Sequence, residues 1–313
     1  RSPDDPTTGG AWNYVTNAAN LRAFWRGGIE RMMSKGDGDA YESLVTIGER
    51  GDGDEPMAEG TAIELLETIV ADQRRIIEEV TGQPASRTPQ VWALYKEVQD
   101  YHDRGMTVPD DVTLLFADDN WGQIRRLPEK YLDRAGGFGV YYHFDYVGGP
   151  RNYKWLNTVQ IGKVWQQMNL AYARGARNVW IVNVGDIKPM EFPLDFFLRM
   201  AWNPEAMTPT ALAAFPAAWA EQVFGAAAAA PIGDLLTRYS QYAARRKPEL
   251  VNEQAFPIGE VTAAALHRGE FGDHVEDWSV LVDDMEQVKS TLAAEQGDAF
   301  FQLVEFPIRA LAN

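Results

Sequence analysis

Cysteine is absent from the 313 residues, which excludes a disulfide framework, a thiolate nucleophile, a thiolate metal site and thiol redox chemistry. The compartment stays open, because a chain without thiols suits either side of a membrane. Long apolar runs are also missing: none approaches the roughly 20 residues that span a bilayer. The opening RSPDDPTTGG lacks both the apolar stretch of a signal peptide and an initiator Met, and is read as a non-native start. Basic charge is scarce, with 29 Lys and Arg against 45 Asp and Glu, a formal net charge of −16. That balance repels phosphate backbones and anionic headgroups at long range, so neither nucleic acid nor a membrane is an expected partner. Histidine occurs only 4 times and never as H-E-x-x-H, which argues against catalytic zinc. No G-x-S-x-G supports a serine hydrolase, and no G-x-G-x-x-G follows an apolar run, which weakens a Rossmann alternative.

What is present suits a folded globular chain of one large or two smaller domains, 45% hydrophobic and 24% charged. Five short apolar runs rich in β-branched and aromatic residues recur at 44–48, 91–95, 112–116, 139–142 and 179–183. Such near-continuous hydrophobicity is what a parallel strand covered on both faces requires. Helical patterns lie between them. Thr61 and Glu64 have capping-box spacing ahead of Ile63, Leu66, Ile69, Val70, Ile76, Ile77 and Val80, before Gly82. A second pattern runs from Thr158 through Ile161, Val164, Trp165, Met168 and Tyr172 to Gly175, and an earlier one carries Leu21, Phe24, Trp25, Ile29 and Met32.

Strands alternating with helices predict an α/β fold, a (β/α)8 TIM-type barrel. From residue 191 the strand signal gives way to Ala-rich helical segments at 210–224, 234–246 and 275–292. The expected organisation is a catalytic barrel portion over 1–190 and an α-helical domain over 191–313, with Ala226 to Ala230 and Pro231 read as a helix end or short linker. Five strands do not close a barrel of eight: either the first three lie upstream of Arg1, which the non-native start favours, or the fold class is a different one.

Polar residues cluster just after each run: Arg50, Asp52 and Asp54; Lys96 and Glu97; Asp118, Asp119 and Asn120; His143, Asp145 and Tyr146; Asn183 and Asp186. In a barrel enzyme the C-terminal strand ends form the active face. GDGD occurs twice, at 36–39 and 51–54, but the oxygen ligand that a calcium loop needs at its fifth position is Tyr41 in one copy and Pro56 in the other. The first copy reads as a solvated turn; the second, directly after a strand that presents Arg50, is as plausible a site as a turn. Glycoside hydrolysis generally uses two carboxyl groups, and Asp54 and Glu97 end successive strands, although each taken alone reads more simply as a cap or surface ion pair. Asp118 and Asp119 form a second acidic node, with the capping of the next helix by one of them an equally weighted reading. Asn120 has the groups to bind a sugar hydroxyl, and Trp121 offers either a flat face to a sugar ring or ordinary packing. His143 is the one histidine that follows a strand; alone it reads as a structural hydrogen-bonding residue, and with Tyr146 as part of a pocket. Most of the 10 tryptophans should be core.

The stretches TIGERGDGDEPM, KEVQDYHDRG, LFADDNWGQIRRLP, GVYYHFDYVGGPRNYKWLNT and VWIVNVGDIKPMEFPLDFFL together resemble glycoside hydrolase family 115, the xylan α-1,2-glucuronidases. The likeness runs from about Trp12 to Trp202. It implies an inverting hydrolase, independent of metal and needing no cofactor, that removes α-1,2-linked glucuronic acid or its 4-O-methyl ether from glucuronoxylan or its oligosaccharides. Carried over position by position, it places the catalytic pair on Glu97, as general acid, and Asp54, as general base, with the reverse order also open. Substrate-binding roles fall to Arg50, Asn120, His143, Tyr146 and Asn183, with Arg50 suited either to the uronate carboxylate or to an ion pair with Asp54. The polymer substrate implies secretion or a periplasmic location, and a homodimer is compatible with the family. Two departures stand out: the family's earlier acidic motif and N-terminal domain have no counterpart before Arg1, and Glu49 replaces an apolar residue beside Arg50, which challenges the packing of that strand end. The competing reading is a non-catalytic carbohydrate-binding remnant of such an enzyme; a metal-dependent barrel hydrolase is a third.

Overall fold

The computed structural model describes residues 9–34, 42–57, 60, 62–146, 149, 152–251 and 270–313, the side chains of Asp54, Glu270 and Phe271 excepted. The first GDGD copy and Thr61 lie outside the described residues.

Five strands form one sheet: β1 (Val45–Thr46), β2 (Gln90–Leu94), β3 (Thr113–Ala117), β4 (Phe138–His143) and β5 (Ala176–Asn183). Each coincides with one of the apolar runs. The order is β1-β2-β3-β4-β5, with no strand skipped, and the pairing is parallel: Val45 opposite Gln90, Val91 opposite Thr113, Leu114 opposite Phe138. A sequential parallel order with connections returning to the same strand ends is the topology of a (β/α)8 barrel. The sheet is therefore a five-strand portion of such a barrel, followed by a helical region.

Burial explains why those runs are strands. In β2 all but Ala93 are buried, and in β3 all but Ala117; Leu94, Leu114, Leu115 and Val140 are nearly inaccessible. Side chains on both faces of the pleat are covered, as in sheets sandwiched by helices, and each buried Leu or Val contributes about 1.5–3 kcal/mol relative to exposure.

Helix α1 (Tyr14–Met33) is capped by Asn13, whose Oδ1 accepts from the amides of Val15 and Thr16. Helix α2 (Ile63–Thr81) ends at Gly82 in the left-handed conformation, φ 67°, as the glycine at that position predicts. Its N-cap is Ala62, which makes no side-chain cap bond. The two helices meet through Asp72 of α2, which accepts from the Tyr14 hydroxyl at 2.6 Å and pairs with Arg22 and Arg75. After β2 comes the short α3 (Glu97–Asp103), and before β5 comes α4 (Ile161–Ala173). The β3–β4 connection, 118–137, holds no helix. The expected helix cap there is corrected: Asp119 instead closes a tight loop, its Oδ1 accepting from the amides of Trp121 and Gln123.

Past residue 190 the described elements are helical: α5 (Glu191–Trp202), α6 (Pro209–Phe224), α7 (Ala226–Arg245) and α8 (Glu270–Ser290), then an unbroken helical stretch that runs from Gly297–Phe300 through a π-helical segment, Phe301–Glu305, to Phe306–Ala312. The Ala226 to Ala230 segment is not a linker. It forms the opening turns of α7, and Pro231 sits within that helix. Alanine has the best helix propensity, so the break falls one residue earlier at Gly225, φ 83°.

By internal contacts the chain resolves into two compact units, one of Arg1–Asp118, Ile124–Tyr141 and Ala171–Ile181, the other of Asp119–Gln123, Tyr142–Leu170 and Val182–Asn313.

Candidate active site

In the first unit the site is built on the ends of β1 and β2. Ile47 still pairs with β2, its amide donating to the Val91 carbonyl at 2.9 Å. The chain then turns at Gly48, φ 90°, where a Cβ would stand 2.2 Å from the Trp92 indole nitrogen. Only glycine fits that approach. Gln73 of α2 clamps the same residue from the other side, accepting its amide at 2.8 Å and donating to its carbonyl at 3.2 Å. With Gly48 held at both polar groups, the directions taken by Glu49 and Arg50 are set.

Arg50 points to the end of β2. Its Nε and Nη2 donate to the two carboxylate oxygens of Glu97 at 2.8 and 2.9 Å, a fork-to-fork pair that is both directional and strong. The two side chains are only 13% and 19% exposed. Lys96 carries the turn that delivers Glu97, with φ 48°, and the Arg50 guanidinium lies 5.4 Å from the Tyr95 ring centre, where the ring quadrupole favours a cation. Among the described side chains Arg50 pairs with Glu97; an ion pair with Asp54 falls outside the described residues, because the Asp54 side chain is not among them.

The other carboxylate motif becomes a 3-10 turn, Asp52–Asp54. Gly51 donates to the Glu55 carbonyl at 2.7 Å, and Asp52 Oδ2 accepts the Trp12 amide at 2.9 Å. Asp54 occupies the last residue of this turn; its side chain lies outside the described residues. β1 and β2 are adjacent and parallel, so Asp54 and Glu97 follow neighbouring strand ends as the sequence predicts.

Glu49 is the residue whose behaviour sequence reasoning missed. It is 8% exposed, and among the described residues neither carboxylate oxygen has a hydrogen-bond partner. Burial, reinforced by the charge of Asp52, pushes its pKa up to about 7. Gln73 was missed as well, though a polar residue among Ile69, Val70, Ile76 and Ile77 on an apolar helix face is itself a signal.

In the second unit Asn120 sits half-buried in the 119–123 loop, closed by the Asp119 amide donating to the Gln123 carbonyl at 2.9 Å. Two further bonds pin this loop. Tyr142 Oη donates to the Gly122 carbonyl at 2.8 Å, and Lys163 Nζ donates to the Trp121 carbonyl at 2.7 Å. Gly122 has φ 75°, and a Cβ there would stand 2.7 Å from Tyr142 Oη, so the loop requires glycine. His143 and Tyr146 stack with ring centres 4.0 Å apart and planes 22° off parallel, bringing together the pair expected after β4. Asn183, at the end of β5, accepts the Phe144 and Asp145 amides on its carbonyl at 2.8 and 3.2 Å and the Gly185 amide on Oδ1 at 3.1 Å.

The first unit thus carries an arginine–glutamate fork at strand ends of a parallel barrel sheet, the edge at which barrel enzymes bear their active sites, and the second carries the histidine–tyrosine stack. The comparisons with known proteins give the family. The model of glycosyl hydrolase family 115 matches residues 2–250, and this chain belongs to that family. A solved structure described as a family GH115 4-O-methyl-α-glucuronidase with specificity for decorated arabinogalactans is 32% identical, with a TM-score of 0.82. The match covers 98% of this chain and 41% of that one, so the chain spans less than half of its solved relative. The search of curated proteins returned no match.

Proposed function

We propose that this chain carries the catalytic strand ends of an α-glucuronidase that hydrolyses α-1,2-linked glucuronic acid, or its 4-O-methyl ether, from glucuronoxylan or its oligosaccharides. The observation that carries the reading is the Arg50–Glu97 fork at the ends of β1 and β2 in a member of family 115. In this reading hydrolysis inverts the anomeric centre. Glu97 protonates the leaving oxygen and Asp54 activates a water on the opposite face, which calls for carboxyls about 6.5–9.5 Å apart. Arg50 provides the cation that an acidic sugar needs in a protein of net charge −16. Screening beyond about 8–10 Å at ordinary salt leaves such local charges in control. A uronate carboxylate has the same two-oxygen geometry as Glu97, so substrate competes for the guanidinium, and a displaced Glu97 is then free to take up the proton it must deliver. Asn120, His143, Tyr146 and Asn183 orient sugar hydroxyls and water. A polymeric substrate of this kind places the enzyme outside the cytoplasm.

The solved relative's stated preference for decorated arabinogalactans supports a second substrate reading, the same uronic acid on a galactan chain. Glucuronic acid release from glucuronoxylan and from glucuronidated arabinogalactan, followed side by side by chromatography, tests both. Release from xylan alone supports the first reading and release from the galactan alone the second. Binding without release from either supports the non-catalytic remnant.

A further inference from the structure

Beside β3 and β4 lies a cleft of about 790 Å³, all of it within the first unit. The chain between these strands, 118–137, holds no helix, and α3 before them is only 7 residues long. Irregular backbone therefore stands where a barrel sheet is ordinarily covered by a helix. Phe116 and Phe138, with ring centres 6.0 Å apart, form the buried floor, and the His102 ring meets Phe116 edge-on at 6.5 Å. The cleft is separate from the acid of the candidate active site. Glu97 opens α3 just after the end of β2, whereas the cleft starts at His102, near the far end of α3, and reaches Asp110 and Arg134, which precede β3 and β4.

Its charge runs against that of the chain as a whole. Arg125, Arg126, Lys130 and Arg134 line it together with Asp103, Asp110 and Glu129, in a protein of net charge −16. Two of these acids are already engaged: Asp103 pairs with Arg126 at 2.9 Å, and Asp110 accepts the Ala135 amide at 3.1 Å. The cations are less so. Arg125 and Lys130 are exposed and have no ion-pair partner among the described residues. Arg134 is buried; its Nη2 donates to the neutral carbonyls of Pro109 and Val112 at 2.7 and 3.0 Å, and no carboxylate among the described residues bonds it. A buried guanidinium without an ion pair gains from an anion placed near it. At the mouth, Tyr131 is 72% exposed in the left-handed conformation, φ 53°, which residues other than glycine seldom adopt outside functional or tightly constrained positions.

We propose that this cleft is a second glycan-binding site, separate from the catalytic strand ends, that takes a uronate-bearing sugar: Arg125 and Lys130 meet the carboxylate, and Tyr131 offers its ring to the sugar face. An acidic glycan suits it better than a nucleic acid. Sparse carboxylates need only a local pair of cations, whereas a continuous phosphate backbone meets the repulsion of the whole chain. Bound here, a decorated polymer stays on the protein while the strand ends act on another of its side groups. The identity of the glycan rests on the glucuronidase reading above; the affinity of the cleft for a carboxylate does not.

Reductive methylation of Lys130 in the whole chain, followed by peptide mass spectrometry, reports occupancy of the cleft and not of the catalytic strand ends. Glucuronoxylan at about four times its Kd should slow this modification about fivefold, and an arabinoxylan without uronate should leave it unchanged. Arg125→Ala should weaken binding read in this way about two- to fivefold, the usual weight of an exposed charge pair. Glu129→Gln, which removes the acid left unengaged, should strengthen it. Both side chains are exposed, so neither change threatens the fold. Unslowed methylation, equal slowing by the two xylans, or protection indifferent to Arg125→Ala overturns the proposal, as does a single-stranded oligonucleotide that protects Lys130 as well as glucuronoxylan does. A chain that protects Lys130 but releases no glucuronic acid removes the glucuronidase reading and keeps the cleft. One that hydrolyses glucuronoxylan with Lys130 unprotected keeps that reading and overturns the cleft.

Discussion

Arg50 grips Glu97 with two parallel hydrogen bonds of 2.8 and 2.9 Å across the ends of β1 and β2. The residue expected to protonate the leaving group is thus held by the cation expected to bind the uronate. If substrate carboxylate displaces Glu97 from this fork, Arg50→Lys should raise KM more than it lowers kcat, because a lysine is a point charge without the matching two-pronged geometry. Steady-state kinetics on glucuronoxylo-oligosaccharides give the split. A fall confined to kcat would assign Arg50 to the acid alone.

Replacing both Asp54 and Glu97 by Ala should abolish hydrolysis while the circular dichroism spectrum stays that of the unaltered chain. Each single variant should lose about 10²–10⁴-fold in rate, the usual weight of a general acid or base. Undiminished turnover in either single variant takes that residue out of the mechanism.

Gly48→Ala should destabilise the chain by about 1–3 kcal/mol, since the new Cβ meets the Trp92 ring at 2.2 Å and φ of 90° strains any L side chain. Urea denaturation measures the loss. A neutral result would mean that the strand end can shift without penalty.

Stability should show two separate pH limbs. Burial raises the Asp72 pKa, but hydrogen bonds from Tyr14, Arg22 and Arg75 outweigh it and bring it down to about 2, below its ordinary 3.8. A depressed folded pKa contributes stability that is present above pH 3.8 and lost as pH falls towards 2. Glu49 has the opposite sign. Its folded pKa of about 7 exceeds the ordinary 4.5, so its contribution is complete below 4.5 and lost as pH rises through 7. Thermal melts across pH should therefore lose the acid limb in Asp72→Asn and the alkaline limb in Glu49→Gln. Coincident profiles for variant and parent would reject the assignment concerned.

Much of the first unit's framework was legible. The runs 91–95 and 112–116 become β2 and β3 almost residue for residue, because burial on both faces leaves no room for polar alternation. Gly82 ends α2 where predicted. Local signals misled where two rules compete. Pro231 reads as a helix breaker, yet Gly225 makes the break. At the site, His143 and Tyr146 lie three positions apart after one strand, and their stacking follows from that proximity. The fork between Arg50 and Glu97 joins residues 47 positions apart, and no local pattern pairs them.

The amino-acid sequence alone determined which segments are strands, which edge of the sheet bears the acids and amides, and the family to which the chain belongs. These follow from apolar runs, their spacing and contiguous motifs, all local properties of the chain. Only the tertiary structure decided who partners whom: that Arg50 meets Glu97, that Gln73 and Trp92 lock Gly48, and that Glu49 is buried. Burial and ion pairing depend on groups brought together from distant parts of the chain, and a carboxyl's charge state follows from that enclosure.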